Sequence, residues 1–324
     1  MTLAGRVLRG LGPLHERLPV WVVVAAVVGV AFPGAAHAGR WGVPVMLGGQ
    51  VLGVALTLKA RRFLRALQRP GVLLGALVVQ WVVLPLAGYG LLVLLHHDTV
   101  GVGALVTAAS PAEITSALVA LLAVGDGALA ATVMAASVAS SAVLTPLWVA
   151  ALLGSGHHVD RGGLVVELAL SVALPLVAGT TVRTRWPAVA RLDARWLDLA
   201  GLSLVLVVFV GAGSARPMLS GHMVGPAVAA AAALVVVGAL VGGAVGMAVP
   251  GGRRARVAVA FPVAMREFGI ATAVLLVVAP ASAGFAGVYG IVLMLGATAA
   301  AGVLRRWQLP AGADRVPHQR TDTT

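Results

Sequence analysis

Long apolar stretches without a charged side chain recur along the whole chain. The stretches from Leu18 to Gly39, from Gly71 to His97 and from Pro217 to Gly252 contain no Asp, Glu, Lys or Arg. Each is long enough for a helix of about 20 residues to cross a bilayer. The apolar and polar residues do not alternate as they do in the strands of a β-barrel. The pattern therefore predicts a bundle of membrane helices.

Prolines, glycines and charged clusters divide these stretches into ten predicted spans. A further uncharged stretch, from Phe268 to Leu304, is split into two spans at Pro280 and Gly284, since such residues interrupt helices. The ten spans cover approximately residues 18–36, 41–58, 71–95, 99–123, 128–153, 164–182, 197–214, 223–248, 257–279 and 285–304.

The basic side chains provide a test of this division, because cytoplasmic loops are enriched in Lys and Arg. With the N-terminus in the cytoplasm, nineteen of the 23 basic residues fall in inside segments. Arg40, Arg161 and Arg216 fall outside, and Arg266 falls within a span. This asymmetry predicts ten spans with both termini in the cytoplasm. The inside residues are Arg6, Arg9, Arg17, Lys59, Arg61, Arg62, Arg65, Arg69, Arg183, Arg185, Arg191, Arg195, Arg253, Arg254, Arg256, Arg305, Arg306, Arg315 and Arg320.

The composition narrows the possible functions. Hydrophobic residues make up 60% of the 324 positions and charged residues 10%, where a soluble domain carries about a quarter charged. The net charge of +12 does not indicate a nucleic-acid partner, because the basic residues lie in clusters between spans. The chain has no cysteine, which excludes disulfides and thiol chemistry. It has no phosphate loop, HExxH or paired-aspartate motif, so neither ATP-driven transport nor an enzyme is predicted.

Two predicted spans each carry a proline together with a glutamate. The fourth span contains Pro111 and Glu113, and the ninth contains Pro262 and Glu267. A carboxylate at the centre of a bilayer costs roughly 2.5–3.5 kcal/mol on insertion scales, so it indicates a functional site. Proline removes a backbone donor, so a helix that bears one is readily broken or unwound.

The positions of these breaks predict internal symmetry. Ten spans divide into halves of five, and an odd number forces the second half to enter the membrane upside down. Inverted repeats are typical of secondary transporters, and breaks at corresponding positions indicate the binding site. The predicted fold is an all-α integral membrane protein with two inverted five-helix repeats, residues 18–158 and 159–306. A cytoplasmic N-terminal segment, 1–17, and a disordered cytoplasmic tail, 307–324, complete the chain.

Two alternatives remain open. A basic N-terminal segment precedes an apolar run that ends in Ala36-His37-Ala38, which resembles a signal-peptidase site. Cleavage there would leave nine spans and remove the symmetry. Pro111 and Pro262 could also be ordinary proline kinks. The glutamates that accompany both prolines favour a binding site instead.

Three groups of short motifs occur along the chain. They are Leu56-Thr57-Leu58-Lys59 with Phe63, Arg69-Pro70, Gln80 and Leu84-Pro85-Leu86; Ser110-Pro111 to Gly125-Asp126 with Leu144-Thr145-Pro146-Leu147; and Glu267-Phe268-Gly269. In these motifs and in their order the chain resembles the bile acid:sodium symporter family, whose corresponding sequences are LTLK…RP…Q…PL, CPGGTASN…GD with LTPL, and ExGxQN. The resemblance implies a panel domain of spans one, two, six and seven. It implies a core domain of the other six, in which spans four and nine cross as broken helices.

The resemblance also implies an ion site. Ser116, Glu267 and Gln80 occupy positions of family sodium ligands. Several other ligand positions have lost their side-chain oxygen or amide, and an alanine offers only its backbone carbonyl. These positions are Ala117, Ala130, Met134, Ala271 and Thr272.

The crossing has acquired two charges that the family pattern lacks. Ala112-Glu113 replaces the family's glycine pair, and Arg266 precedes Glu267. We hypothesise that Arg266 approaches Glu113 and supplies, in fixed form, some of the positive charge that sodium brings. Transport would then be proton-coupled or uncoupled.

The function expected from this resemblance is symport of a small organic anion across a bacterial cytoplasmic membrane. No cofactor is expected beyond a coupling Na⁺ or H⁺, and the partners are lipids and the substrate. We expect a monomer or weak homo-oligomer. Alternatives are an efflux carrier related to the arsenite exporters, which the lack of cysteine disfavours, and a non-transporting membrane sensor. The predicted crossing residues are Pro111, Glu113, Thr115, Pro262, Arg266, Gly269 and Thr272.

Overall fold

The computed structural model is helical throughout the residues it describes, which are 18–58, 70–96, 98–153, 161–216, 218 and 221–306. Fourteen α-helices in these ranges overlap all ten predicted spans. The helices are α1 Leu18–Ala31, α2 Pro33–Ala38, α3 Val43–Ala55, α4 Pro70–Leu94, α5 Thr99–Ala108, α6 Ser116–Leu122, α7 Gly127–Leu152, α8 Arg161–Leu168, α9 Leu174–Arg185, α10 Asp193–Ala215, α11 Val224–Ala248, α12 Arg253–Ala264, α13 Phe268–Val278 and α14 Ala283–Arg306.

Six helices in the described ranges are long and apolar enough to cross a membrane, so the chain is a multi-pass membrane protein. They are Pro70–Leu94, Gly127–Leu152, Gly162–Arg185, Pro187–Ser214, Val224–Ala248 and Pro280–Arg306. A seventh candidate, Val20–Ala31 with Pro33–Ala55, is bent by 102°. The third of the six runs through a π-helical turn, Ala169–Ala173, which joins α8 to α9.

Two of the predicted spans are broken at their proline–glutamate sequences. The fourth is divided into α5 and α6, and the ninth into α12 and α13. The four pieces have 10, 7, 12 and 11 residues, so each is too short to cross a bilayer alone. The first predicted span, 18–36, is also interrupted, which the sequence analysis did not anticipate. Phe32 leaves the helical conformation at φ −120°, ψ 62°, and Pro33 begins α2.

The helices pack as two groups. One contains α1, α2, α3, α9 and α10, in which α10 lies against α1 and α3. The other contains α4 to α7 and α11 to α14, in which α12 packs against α11, α7 and α6. The predicted repeat boundary at 158/159 and the predicted terminal segments 1–17 and 307–324 lie outside the described residues.

A row of glycines lets α11 approach the broken helix α12 closely. Gly238, Gly242 and Gly246 occur every fourth residue, on one face of α11. A Cβ added at Gly242 would overlap the backbone carbonyl of Ala260, and one at Gly238 would overlap that of Ala264. Small residues at such spacing are typical of closely packed membrane helices. The row therefore fixes the position of α12 and of the break that follows it.

Candidate functional site

The two broken spans meet in a short antiparallel β-bridge between Ala112 and Arg266. The Glu113 N–H donates to Met265 O at 3.0 Å, and the Glu267 N–H donates to Pro111 O at 2.9 Å. Main-chain groups that leave a helix inside a membrane need new partners, and here each break supplies them to the other. The bridge brings together the two proline–glutamate sequences, which lie about 150 residues apart in the chain.

Helix α7 satisfies two further backbone groups of the first break. The Ala112 N–H donates to Ser137 Oγ at 2.9 Å. Thr145 Oγ1 donates to Ala109 O at 3.0 Å. Ser137 and Thr145 are both fully buried on α7. Helix α7 therefore holds the first break in its extended conformation.

Glu267 fastens the two breaks to each other through its side chain. Its carboxylate caps the first turn of α13 by accepting from the Gly269 N–H at 3.0 Å. The other carboxylate oxygen accepts from the Ile114 N–H, on the opposite break, at 2.9 Å. The side chain has no exposed surface. Because both oxygens are engaged, Glu267 has a structural role at the crossing as well as its predicted role in ion binding.

Glu113 is also fully buried, lies beside the carboxyl group of Glu267, and has hydrogen bonds within 3.5 Å to only one of its two carboxylate oxygens. Oε1 accepts from the N–H and the Oγ1 of Thr115, at 3.3 and 3.2 Å. Oε2 has no hydrogen-bond partner. Two carboxyl groups thus lie in the protein interior at the same crossing, and Glu113 retains an oxygen that could bind a cation or a proton.

Arg266 is 2% exposed, and its guanidinium contacts backbone carbonyls. Nη1 donates to Ser110 O at 3.0 Å, and Nη2 donates to Pro262 O and Val263 O, both at 3.1 Å. Glu113 is close enough to interact electrostatically, but it forms no salt bridge with Arg266 within 4.0 Å. The direct approach hypothesised from the sequence is therefore replaced by a carbonyl environment, because the broken helix ends offer nearer acceptors.

The other two predicted sodium ligands also retain unpartnered oxygens. Gln80, on α4, donates from Nε2 to Pro262 O at 2.9 Å, and its Oε1 has no partner. Ser116 begins α6, is fully buried, and its Oγ has no partner. Thr107 Oγ1, in the last turn of α5, is similarly buried and unpartnered. Oxygen atoms of this kind suit a hard cation such as sodium.

Gly269 and Thr272 lie on α13, in different environments. A Cβ at Gly269 would lie 2.8 Å from Glu267 Oε1, so glycine leaves room for the capping carboxylate. Thr272, one turn further on, donates its hydroxyl to Phe268 O at 2.8 Å and faces Gly211 of α10. Thr272 therefore lies within the helix packing, and it is not among the residues that line the cavity described next.

A cavity of about 1280 Å³ lies between the two helix groups and extends to the crossing. Helices α3, α9 and α10 form one wall, and α6 and α7 form the other. Gln50, Ile114 and Thr115 line it at the crossing. Exposed Arg185 and Arg254 line it at the end far from the crossing, so that end is basic. The volume is sufficient for a small organic molecule.

Gln50 is a cavity residue that the sequence analysis did not single out. It is 1% exposed, neither Nε2 nor Oε1 has a hydrogen-bond partner within 3.5 Å, and the amide lies beside the carboxylate of Glu267. Its Oε1 lies near the N-terminus of α13, 3.4 Å from the position that a Cβ of Gly269 would take. The available signal was an amide within an otherwise apolar span, 41–58. Because this amide lines the cavity at the crossing, it is suited to bind a polar ligand.

Tyr289 is a second residue that the sequence analysis missed. Its hydroxyl accepts from the Arg266 N–H at 3.2 Å, and the side chain is completely buried in α14. It therefore stabilises the second break as Ser137 stabilises the first. Neither residue belongs to a recognisable local motif, because each acts on a backbone group that is distant in the sequence.

The known proteins that this chain resembles are all described as sodium-linked transporters. A model of the sodium bile acid symporter family matches residues 44–222. The chain is 28% identical over 165 residues to the "uncharacterized sodium-dependent transporter YocS" of Bacillus subtilis (strain 168). It is 29% identical over 195 residues, and 30% over 166, to proteins named "probable sodium/metabolite cotransporter BASS1, chloroplastic" from Oryza sativa subsp. japonica and Arabidopsis thaliana.

These alignments are partial. They cover 51%, 59% and 50% of this chain, and 51%, 47% and 41% of the respective relatives. The chain thus spans about half the length of the curated relatives that it matches. The family match includes the first break of the crossing but ends before the second, which contains Arg266 and Glu267.

Proposed function

Because the chain belongs to the sodium bile acid symporter family, a family of membrane transporters and not of enzymes, we propose that it carries a small organic anion by alternating access. The cavity that ends at the crossed breaks is the observation that carries this proposal. It provides a binding volume between two helix groups, and alternating access requires that such groups move relative to each other. The proposed location is the bacterial cytoplasmic membrane.

The proposed topology has ten spans in two inverted repeats, with both termini in the cytoplasm. Helices α4 to α7 and α11 to α14 would form the core, and α1 to α3 and α8 to α10 the panel. The distribution of basic residues supports the orientation, and the two corresponding breaks support the symmetry. In this orientation the basic end of the cavity faces the cytoplasm.

The charges along the cavity support an anionic substrate. Arg185 and Arg254 line the end that is far from the crossing. Among the described residues that line the cavity, Asp126 is the acidic one. A predominantly basic entrance raises the local concentration of anions. At the end beside the crossing, Gln50 lines the cavity, and its amide N–H groups offer a hydrogen bond to a carboxylate or sulfonate.

Coupling to sodium is proposed from family membership, with Glu267, Ser116 and Gln80 as the ligands. The free oxygens of Ser116 and Gln80 support this assignment. The alternative is proton-coupled or uncoupled transport, which is favoured by the alanines at 117, 130 and 271 and by the buried Arg266.

Uptake into proteoliposomes tests the proposal. Radiolabelled carboxylates, from acetate to cholate, would be offered with sodium, potassium or choline outside, at two pH values. We expect saturable uptake of at least one anion, and the salt and pH arms identify the coupling ion. Glu267→Ala should abolish coupled uptake while leaving the protein inserted. No flux of any anion would contradict the proposed anion transport. Wild-type flux by Glu267→Ala would contradict the assignment of Glu267 as a ligand of the coupling ion.

A further inference from the structure

Arg266 lies where the C-terminal ends of two half-helices converge. Ser110 O follows the end of α5, and Pro262 O and Val263 O belong to the last turn of α12. Carbonyls at a helix C-terminus lack an intrahelical donor and carry partial negative charge. All three accept from the guanidinium of Arg266, at 3.0–3.1 Å. We refer to Ser110 O, Pro262 O and Val263 O as the carbonyl cluster.

The second break explains why Pro262 O and Val263 O lack their intrahelical donors, and Pro262 O also accepts from Gln80 Nε2 at 2.9 Å. In a continuous helix, Pro262 O and Val263 O would accept from the N–H groups of residues 266 and 267. Here the Arg266 N–H donates to Tyr289, and the Glu267 N–H donates to Pro111. The break therefore creates acceptors and turns them towards the interior. Broken helices of secondary transporters use such unwound carbonyls and half-helix C-termini to coordinate cations.

The contacts of Arg266 differ from those of an arginine in an ordinary ion pair. Arg183, also buried, donates from Nη1 and Nη2 to the two carboxylate oxygens of Asp193 at 2.6 and 3.0 Å. Among the described residues, no carboxylate oxygen lies within 4.0 Å of Arg266, so its direct contacts are carbonyl dipoles and Glu113 acts on its charge from a longer distance. This is the environment that a protein gives to a bound monovalent cation.

We propose that the guanidinium of Arg266 is a tethered cation that occupies the carbonyl cluster, so that no free cation binds there. This inference rests on the proposed function only in treating the crossing as the place of ion coupling. Its consequence is that the cluster cannot supply a coupling ion. Any coupled sodium must use the other oxygens, such as those of Ser116 and Glu113.

Thermal unfolding of purified protein in detergent tests this proposal. Arg266→Ala and the wild type would be compared in choline chloride, with sodium chloride or a millimolar concentration of guanidinium chloride added. We expect Arg266→Ala to melt lower in choline and to regain roughly 5 °C with sodium or guanidinium, because a free cation fills the cluster. The wild type should show no such gain with guanidinium, and a smaller one with sodium.

Two further variants make the test specific. Arg183→Ala is the control, since it removes a buried arginine whose partner Asp193 is 41% exposed. Its melting temperature should change equally on addition of sodium chloride or of choline chloride, because a nonspecific salt effect depends only on ionic strength. Arg266→Lys keeps a charge at the cluster and should gain no sodium response over the wild type.

The proposal is overturned if Arg266→Ala responds to sodium and guanidinium no more than the wild type does, or if Arg266→Lys responds as strongly as Arg266→Ala. Should Arg266→Ala not fold, Arg266→Gln, which is uncharged and keeps two donors, takes its place. Failure of both neutral variants to fold in all three salts would also overturn it, because a free cation then does not replace the tethered one. The measurement requires no transport, so its outcome is independent of the uptake assay.

Discussion

Two buried glutamines near the crossing differ in what their amides contact. Gln80 donates to Pro262 O, whereas the Gln50 amide lies beside the Glu267 carboxylate and lines the cavity. The contrast indicates that Gln80 helps to hold the broken helix and that Gln50 is accessible to a substrate.

Substitution of each glutamine by leucine should separate these roles. We expect Gln50→Leu to weaken anion binding about tenfold and to change the free energy of unfolding by less than about 1 kcal/mol, because it removes an amide that lines the cavity. Gln80→Leu should instead lower the free energy of unfolding by about 1 kcal/mol. Chemical unfolding and anion-dependent thermal shifts measure the two effects. Destabilisation by Gln50→Leu with unchanged anion binding would contradict the assignment.

Two serines of α7 provide a prediction about the main chain. Ser137 Oγ accepts from the Ala112 N–H of the first break, whereas Ser141 donates within its own helix to Val138 O at 2.7 Å. Both side chains are fully buried. Ser137→Ala leaves a buried N–H unpartnered and should cost about 1–3 kcal/mol, while Ser141→Ala should change stability by less than about 1 kcal/mol. Unfolding of the two variants in detergent measures the difference, and equal effects would contradict it.

At the scale of elements, the sequence predicted the two broken helices because their cause is local. Proline and a carboxylate in an apolar span are visible without the fold. The first break includes Pro111 and Glu113, whereas the second includes Glu267 but begins after Pro262, which stays inside α12. The partners of the breaks were not predictable. Tyr289 and Ser137 contact backbone groups on other helices, so their roles depend on tertiary packing. The bend at Phe32 was missed because Pro33 lies inside a stretch that is otherwise uniformly apolar.

The glycine row on α11 provides a test at this scale. Gly242 contacts α12, and an added Cβ would overlap Ala260 O, whereas Gly243 has nothing within 4 Å of the same position. Gly242→Ala should therefore destabilise the protein by about 1–3 kcal/mol, because α11 and α12 must separate. Gly243→Ala, on the same helix, is the matched control and should be neutral or slightly stabilising. Thermal unfolding of both variants measures this, and equal melting temperatures would contradict the packing role.

At the scale of the whole molecule, the cavity between the two helix groups is the feature that bears most directly on the proposed transport. Its walls come from helices that are distant in the sequence, which is why no substrate pocket could be predicted from residue patterns alone. The membrane class and the family were predictable, because hydrophobic runs and short motifs are properties of the sequence itself. Gln50 became visible as a site residue only when α3 was placed against α13.

The absence of cysteine makes the orientation of this cavity directly testable. A single cysteine at Ala131, which lines the cavity, should react with a membrane-impermeant maleimide in inside-out vesicles and not in right-side-out vesicles. Thr107→Cys, at a fully buried position outside the cavity lining, is the unreactive control. Reaction of Ala131→Cys only from the outside would contradict a cavity that opens to the cytoplasm.

The carbonyl cluster at the crossing has a consequence for how this protein can diverge. Its three oxygens belong to the main chain, so no codon change can delete them while the break persists. A ligand set made of side chains can be lost one residue at a time, whereas this set is inherited with the architecture. Drift and selection can therefore change only the side chain that contacts these oxygens. Position 266 alone could convert the crossing between a fixed charge and an exchangeable one.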